Sequence, residues 1–193
     1  VGGRGRSGPD PVSQTVLGRR FEVGAQGFWQ VHTLAAETLT HAVLDGLRPR
    51  AGERALDLYC GVGLFAGALV DAGCVVFGAE FGREAVRQAR LNVPEARFVA
   101  ADLSKNLSAL PPAADIVVLD PPRTGAGEKA VRAVANMAPR AVAYVACDPA
   151  ALARDLAFFA KEGYAPSSIR AFDLFPMTHH VECVAVLVRT DHG

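Results

Sequence analysis

The sequence has 193 residues, half hydrophobic and 21% charged, enough for one globular domain with a real core. Lys plus Arg equals Asp plus Glu, so overall charge gives no pull toward a polyanion. No apolar run reaches membrane-spanning length and no secretory signal pattern opens the chain, so neither a membrane partner nor export is expected.

Val1 to Pro11 is rich in Gly, Arg and Pro with little to bury. Residues 1–14 read as a flexible leader or the cut end of an upstream region. Arg4, Arg6, Arg19 and Arg20 make this end locally basic, as a solvated tail would be. Thr15 to Val23 is a strand candidate, turned by Gly24 to Gly27. Val31 to Leu47 follows as an amphipathic helix, with Val31, Leu34, Ala35, Leu39, Ala42, Val43 and Leu47 on one stripe. Gly46 and Pro49 are expected to end it. Phe28 and Trp29 read as core. Gln30, at the helix entrance, is polar where packing asks for no polarity.

From Arg54 strands and helices alternate. Strands are expected at Arg54 to Tyr59, Cys74 to Ala79, Ala96 to Ala101, Asp115 to Leu119 and Ala141 to Ala146. Helices are expected at Leu64 to Ala72, Arg83 to Asn92, Glu128 to Met137 and Ala150 to Glu162. Near-continuous apolar strands imply burial on both faces, hence an α/β fold with a mostly parallel, Rossmann-like sheet. Ser168 to Leu174 and Val181 to Arg189 have no helix between them, so an antiparallel pair should close the sheet.

Ligands of open α/β sheets bind beyond the carboxyl ends of the strands. Those ends carry Asp57 to Tyr59, then Glu80, Asp102, Asp120 and Cys147. Asp57-Leu58-Tyr59-Cys60-Gly61-Val62-Gly63 runs into a Gly-rich turn, where Gly61 and Gly63 let a ligand approach the backbone. Glu80 follows Gly61 by 19 positions and suits both hydroxyls of a ribose. Gly61-x-Gly63-x-x-Ala66 also satisfies a relaxed dinucleotide fingerprint. Asp57 separates the readings: a pyrophosphate would be repelled by an acid there, a sulfonium would not, which favours S-adenosylmethionine over NAD.

Asp120-Pro121-Pro122-Arg123 has two prolines to fix where Asp120 and Arg123 point. That suits a planar, hydrogen-bonding substrate such as a base. Tyr144 to Ala146 delivers Cys147 to a helix start, with Asp148 and then Pro149 at the first turn. Unpaired N–H groups and the helix dipole there favour a thiolate, while Asp148 works the other way. A small core residue is the plain alternative for a cysteine. The others, Cys60, Cys74 and Cys183, sit in apolar contexts without zinc-type spacing, so a reduced, cytoplasmic protein is expected. His179 and His180 suggest metal at first sight. Adjacent residues of an extended segment point to opposite sides and no third ligand is suitably spaced, so no metal is expected. Glu182 opens an apolar strand, where an acid needs a partner or a job.

These pieces together resemble the RNA uracil-C5 methyltransferase family, whose members make 5-methyluridine in tRNA or 23S rRNA. The matching elements are Phe28-Trp29-Gln30-Val31, Asp57 to Gly63, Asp120-Pro121-Pro122-Arg123-Thr124-Gly125, Tyr144 to Pro149 with Ala153-Arg154-Asp155, and Phe175-Pro176-x-Thr178-x-His180-Val181-Glu182. They run in family order over nearly the whole chain from Phe21. His32 departs from the family's usual Asn, and Leu64 from a frequent polar residue. The resemblance implies a class I S-adenosylmethionine-dependent fold, Cys147 as nucleophile and Glu182 as base. It implies Gln30, Asp57, Tyr59, Gly61, Gly63, Glu80, Asp102 and Asp120 around the cofactor, with Asp120 and Arg123 at the target base. Residues 15–193 would form the catalytic domain of a monomer acting on RNA. The family's N-terminal RNA-binding barrel is not in this sequence.

Uracil chemistry needs such a set. C5 is a poor nucleophile until a thiolate adds at C6, and a base must then remove the C5 proton. Two rivals stand: an NAD-linked Rossmann oxidoreductase, which leaves Cys147 and Glu182 idle, and an inactive methyltransferase-like module that binds RNA.

Overall fold

The computed structural model describes residues 12–23, 33–174 and 181–190. The elements are β1 (Val12–Val16), β2 (Arg19–Val23), α1 (Thr33–Leu47), β3 (Arg54–Leu58), α2 (Leu64–Asp71), β4 (Val75–Glu80), α3 (Arg83–Asn92), β5 (Arg97–Ala100), β6 (Ile116–Leu119), α4 (Gly127–Asn136), β7 (Ala141–Ala146), α5 (Pro149–Lys161), β8 (Tyr164–Phe172) and β9 (Glu182–Arg189). Seven strands form one sheet in the order β5-β4-β3-β6-β7-β9-β8. Pairs from β5 to β7 are parallel, and β9 runs antiparallel between β7 and β8. The Rossmann-like, mostly parallel sheet with an antiparallel C-terminal pair is therefore present as expected.

Every residue of β6 and β7 is buried, as strands covered on both faces must be. Side chains alternate across the sheet. Ala141, Ala143 and Val145 join a core with Phe21, Leu39, Leu69 and Val86. Val142, Tyr144 and Ala146 join the other, with Val131, Val134, Leu152 and Phe159. Thus β2, α1, α2 and α3 cover one face, and α4 and α5 the other. The chain leaves β3 first toward β4 and β5, then returns to β6 on the opposite side. That reversal opens a crevice at the carboxyl ends of β3 and β6.

Several local expectations change. The single strand read over Thr15 to Val23 is a hairpin, turned at Leu17 and Gly18 with φ of 49° and 85°. Two left-handed residues match the right-handed twist of paired strands. β1 begins at Val12, inside the stretch read as a leader. Gly46 does not end α1; it lies within the helix, where a Cβ would collide with Val186. Leu34, placed on the buried stripe, is 64% exposed. β8 starts at Tyr164 rather than Ser168, and its pairing with β9 shifts register between Pro166 and Ser168. Most of its side chains are exposed, so no hydrophobic alternation announced its first half. Tyr164 anchors that half by donating to the Pro139 carbonyl at 2.8 Å.

The hairpin is tied down by polar contacts. The Arg19 guanidinium pairs with Asp71 at 2.6 Å and Glu95 at 3.1 Å. The buried Asn92, at the end of α3, accepts from Glu22 N–H at 2.9 Å and donates to the carbonyls of Glu22 and Val62 at 3.1 and 3.0 Å. One amide thus joins the hairpin to the Gly-rich turn. Asn92→Ala strands three backbone groups and should cost about 1–3 kcal/mol. Urea unfolding checks this; an unchanged midpoint would show that water replaces the amide without loss.

Candidate active site

Beyond β3 the chain turns through Tyr59, Gly61 and Gly63, with φ of 62°, 53° and 94°. Left-handed backbone suits glycine and is uncommon for tyrosine. A Cβ on Gly61 would stand in open space, so the edge of the sheet is bare there. The N–H groups of Tyr59 and Cys60 donate to the Ala79 carbonyl at 2.9 and 3.2 Å. Glu80, ending β4, accepts from Gly61 N–H at 3.1 Å and Gly82 N–H at 2.8 Å, one on each carboxylate oxygen. Each oxygen retains a lone pair for a further donor.

Asp57 differs from the sequence expectation. It is fully buried and turned toward α2, where Oδ2 accepts from Ala66 N–H at 2.8 Å. It caps a helix whose own cap residue, Gly63, has no side chain. Oδ1 is buried without a hydrogen-bond partner. Burial first, then Asp120 and Glu80, push this carboxyl well above the usual range, toward the neutral form. The repulsion that an exposed acid would exert on a pyrophosphate is correspondingly weaker.

Asp102 follows β5. Its Oδ1 accepts from Ser104 Oγ and N–H at 2.5 and 3.1 Å, and Oδ2 pairs with Lys105 at 2.9 Å. Ser104, then Lys105, bring it down to about 2. Asp120, just past β6, donates its N–H to the Leu58 carbonyl at 3.2 Å, locking the two sides of the crevice together. Its carboxyl is pushed up to about 7, by burial first and then by Glu182 and Glu80.

Cys147 and Glu182 are brought together by register. β7 pairs with β9 so that Ala146 faces Cys183. Continuing that antiparallel ladder by one residue sets Cys147 opposite Glu182, the first residue of β9. Cys147 is half-buried and Glu182 is 6% exposed. Burial raises both groups; Glu182 further raises the thiol, and the Arg123 guanidinium pulls both down. The thiolate expectation is thus corrected. Cys147 lies outside the helix, before the cap Asp148, whose carboxylate takes the Ala151 N–H at 2.8 Å. The helix end acts weakly at that remove.

Sequence reasoning assigned no role to Tyr144, Arg154 or Asp155. Asp155, on α5, is fully buried. Its Oδ2 accepts from Tyr144 O–H at 2.6 Å and from the N–H groups of Ala126 and Gly127 at 2.7 and 3.1 Å. Oδ1 accepts from Arg154 at 3.0 and 2.8 Å, and Arg154 also donates to the Thr124 carbonyl at 2.7 Å. Burial would raise this carboxyl, but the donors together hold it below its ordinary value. Asp155 is the N-terminal cap of α4, supplied from another helix. The signal was present in Ala153-Arg154-Asp155, an acid on the inner face of an apolar helix.

The structure thus gathers Tyr59, Gly61, Gly63, Glu80, Asp120, Arg123, Cys147 and Glu182 at one edge of the sheet. Asp57 stands behind that edge, and Asp102 at the next strand is bound to its own loop. Gln30, His179 and His180 lie outside the described residues. Among the described residues no group of three or more His, Cys, Asp or Glu could hold a metal ion, and no helix is long and apolar enough to cross a membrane.

The model of the tRNA (uracil-5-)-methyltransferase family matches residues 105–190. An uncharacterised RNA methyltransferase of Streptomyces avermitilis is 55% identical over 91% of this chain and 42% of its own length. One of Gloeobacter violaceus is 38% identical over 95% and 41%. This chain therefore spans about two fifths of the curated relatives it matches. Among solved structures, the Pyrococcus abyssi tRNA (uracil-54, C5)-methyltransferase in complex with S-adenosyl-L-homocysteine superposes with a TM-score of 0.82 at 31% identity. It covers 94% of this chain and 45% of that one. TrmN from Thermus thermophilus, at 22% identity and TM-score 0.65 over 79% of this chain and 48% of its own, shares the fold. Motifs, sheet and relatives agree: the chain belongs to the RNA uracil-C5 methyltransferase family.

Proposed function

We propose that this protein methylates C5 of a uridine in tRNA or 23S rRNA, with S-adenosylmethionine as methyl donor. The observation that carries the reading is the β7–β9 register, which sets Cys147 and Glu182 side by side at the switch-point crevice. All the residues involved come from one chain, so a monomer suffices. The thiol must stay unoxidised, which suits a reducing cytoplasm.

The residues fit the cofactor. Gly61 and Gly63 leave backbone bare for it, Glu80 keeps lone pairs for ribose hydroxyls, and Tyr59, Asp57, Asp102 and Asp120 surround that edge, with Gln30 assigned by resemblance. When bound, S-adenosylmethionine supplies an electrophilic methyl group. Cys147 sulfur bonds to C6 of the uracil, and the electron pair of the C5–C6 double bond becomes available at C5. Arg123 stabilises the thiolate against Glu182, and Asp120 and Arg123 hold the ring edge. After C5 gains the methyl group, Glu182 takes the C5 proton. The double bond reforms and the thiolate leaves. A carboxyl raised by burial is a stronger base than one in water.

Glu80→Ala should weaken S-adenosylmethionine binding by about 1–3 kcal/mol, the scale for leaving buried hydroxyls unpaired. Calorimetry reads this, and tight NADH binding without S-adenosylmethionine binding would restore the oxidoreductase reading. In the full-length protein, Cys147→Ala should abolish methylation. Glu182→Gln should trap a methylated RNA–protein band on a denaturing gel, absent from the double variant. A folded Glu182→Gln protein with normal turnover would remove the base role. Iodoacetamide alkylation of Cys147 should keep rising above the ordinary thiol value of about 8.5. Glu182→Gln removes a negative neighbour and should move the inflection down; Arg123→Gln should move it up.

A further inference from the structure

Cys147 and the loop carrying Asp120 and Arg123 follow different strands, and each needs a fixed place relative to the other. β6 and β7 are paired only as far as Leu119 and Tyr144. Beyond that pair the ladder no longer controls the loop. The two prolines stiffen it but do not attach it to anything. The attachment is the Asp155 network. Asp155 stands two turns into the helix that starts beside Cys147, and its carboxylate takes the first two N–H groups at the loop's far end, Ala126 and Gly127. Arg154 takes the Thr124 carbonyl, next to Arg123. Tyr144, three residues before Cys147, donates to the same carboxylate and accepts from Ala126 N–H at 3.0 Å. Gly125 completes the fit: a Cβ there would meet Arg154 Nη2 at 2.5 Å and Asp155 Oδ2 at 2.6 Å.

We infer that Asp155, with Tyr144 and Arg154, is a positioning residue that clasps the Asp120–Gly127 loop to the Cys147 helix and so sets Arg123 and Asp120 against the thiol. A cap alone needs an acceptor for two N–H groups. It does not need a tyrosine from the nucleophile's own strand, nor an arginine bridging to the residue after Arg123. Cys147 is faced by Glu182 from β9, Arg123 and Asp120 from the β6–α4 loop, and Asp148 from its own segment. Arg123 is the cation that opposes the acids. Loosening its loop should therefore weaken the one influence that favours thiolate.

The inference rests on Cys147 as nucleophile, and the two can fail separately. Asp155→Asn should lower the methyl-transfer kcat by roughly tenfold or more, because misplacing reacting groups is costly, and leave S-adenosylmethionine affinity within about twofold. It should also move the inflection of Cys147 alkylation upward, toward that of Arg123→Gln. In an Arg123→Gln background Asp155→Asn should add no further shift, since the two act through one contact. Should Asp155→Asn fail to fold, Tyr144→Phe decides, because it keeps the two amide caps and removes only the hydroxyl. It should give the same changes in smaller measure. Folded variants with unaltered kcat and alkylation profile would reduce Asp155 to a helix cap. Methylation surviving Cys147→Ala would instead overturn the nucleophile itself.

Discussion

β9 enters the sheet against the direction of its neighbour β7, and the site depends on that reversal. A parallel strand would bring its last residues to the carboxyl edge. An antiparallel one brings its first, so Glu182 arrives at the edge where Cys147 leaves β7. The pairing is fixed by burial. Six residues of β9, Glu182 to Leu187, are buried, and side chains alternate between two different cores. A slip by one residue would exchange the faces and send every apolar group to the wrong layer. The hydrophobic pattern of β9 thus sets the neighbour of the thiol.

The electrostatics of the edge follow from crowding. Asp57, Glu80, Asp120 and Glu182 converge where β3, β4, β6 and β9 meet the crevice. Their mutual repulsion adds to desolvation, and Asp57, Asp120 and Glu182 are all raised. For Asp120, whose folded value of about 7 exceeds its ordinary one, ionisation works against folding. Relative stability is fully present below the ordinary carboxylate range and is lost as pH rises through 7. A site holding this much unspent negative potential is built to receive positive charge. That is the charge type of a sulfonium donor.

The strands were legible because β6 and β7 are apolar throughout, and the edge residues because each strand ends in a polar group. What escaped the sequence depended on distant partners. Asp57 reads as an edge acid until α2 is seen to lack a capping side chain. Gly46 reads as a helix stop until Val186 is found beside it. Tyr59 gives no sign in sequence of its left-handed backbone. The Cys147 thiol reads as activated by a helix start, yet the geometry sets it before the cap and beside a carboxylate. Asp155 sat in a motif quoted for resemblance, but its function needed α4 and β7 in place.

The far margin of the sheet has its own logic. β8 is an outermost strand with most of its side chains in solvent, and such a strand is an open template for another chain's backbone. Pro166 has no N–H to offer, and the irregularity between Pro166 and Ser168 breaks the regular spacing of the donors that remain. Arg170, its guanidinium 5.0 Å from the centre of the Phe172 ring, adds charge to the same margin. A second molecule approaching there meets no continuous row to zip onto. The chain can therefore be crowded without recruiting itself into fibrils through this strand.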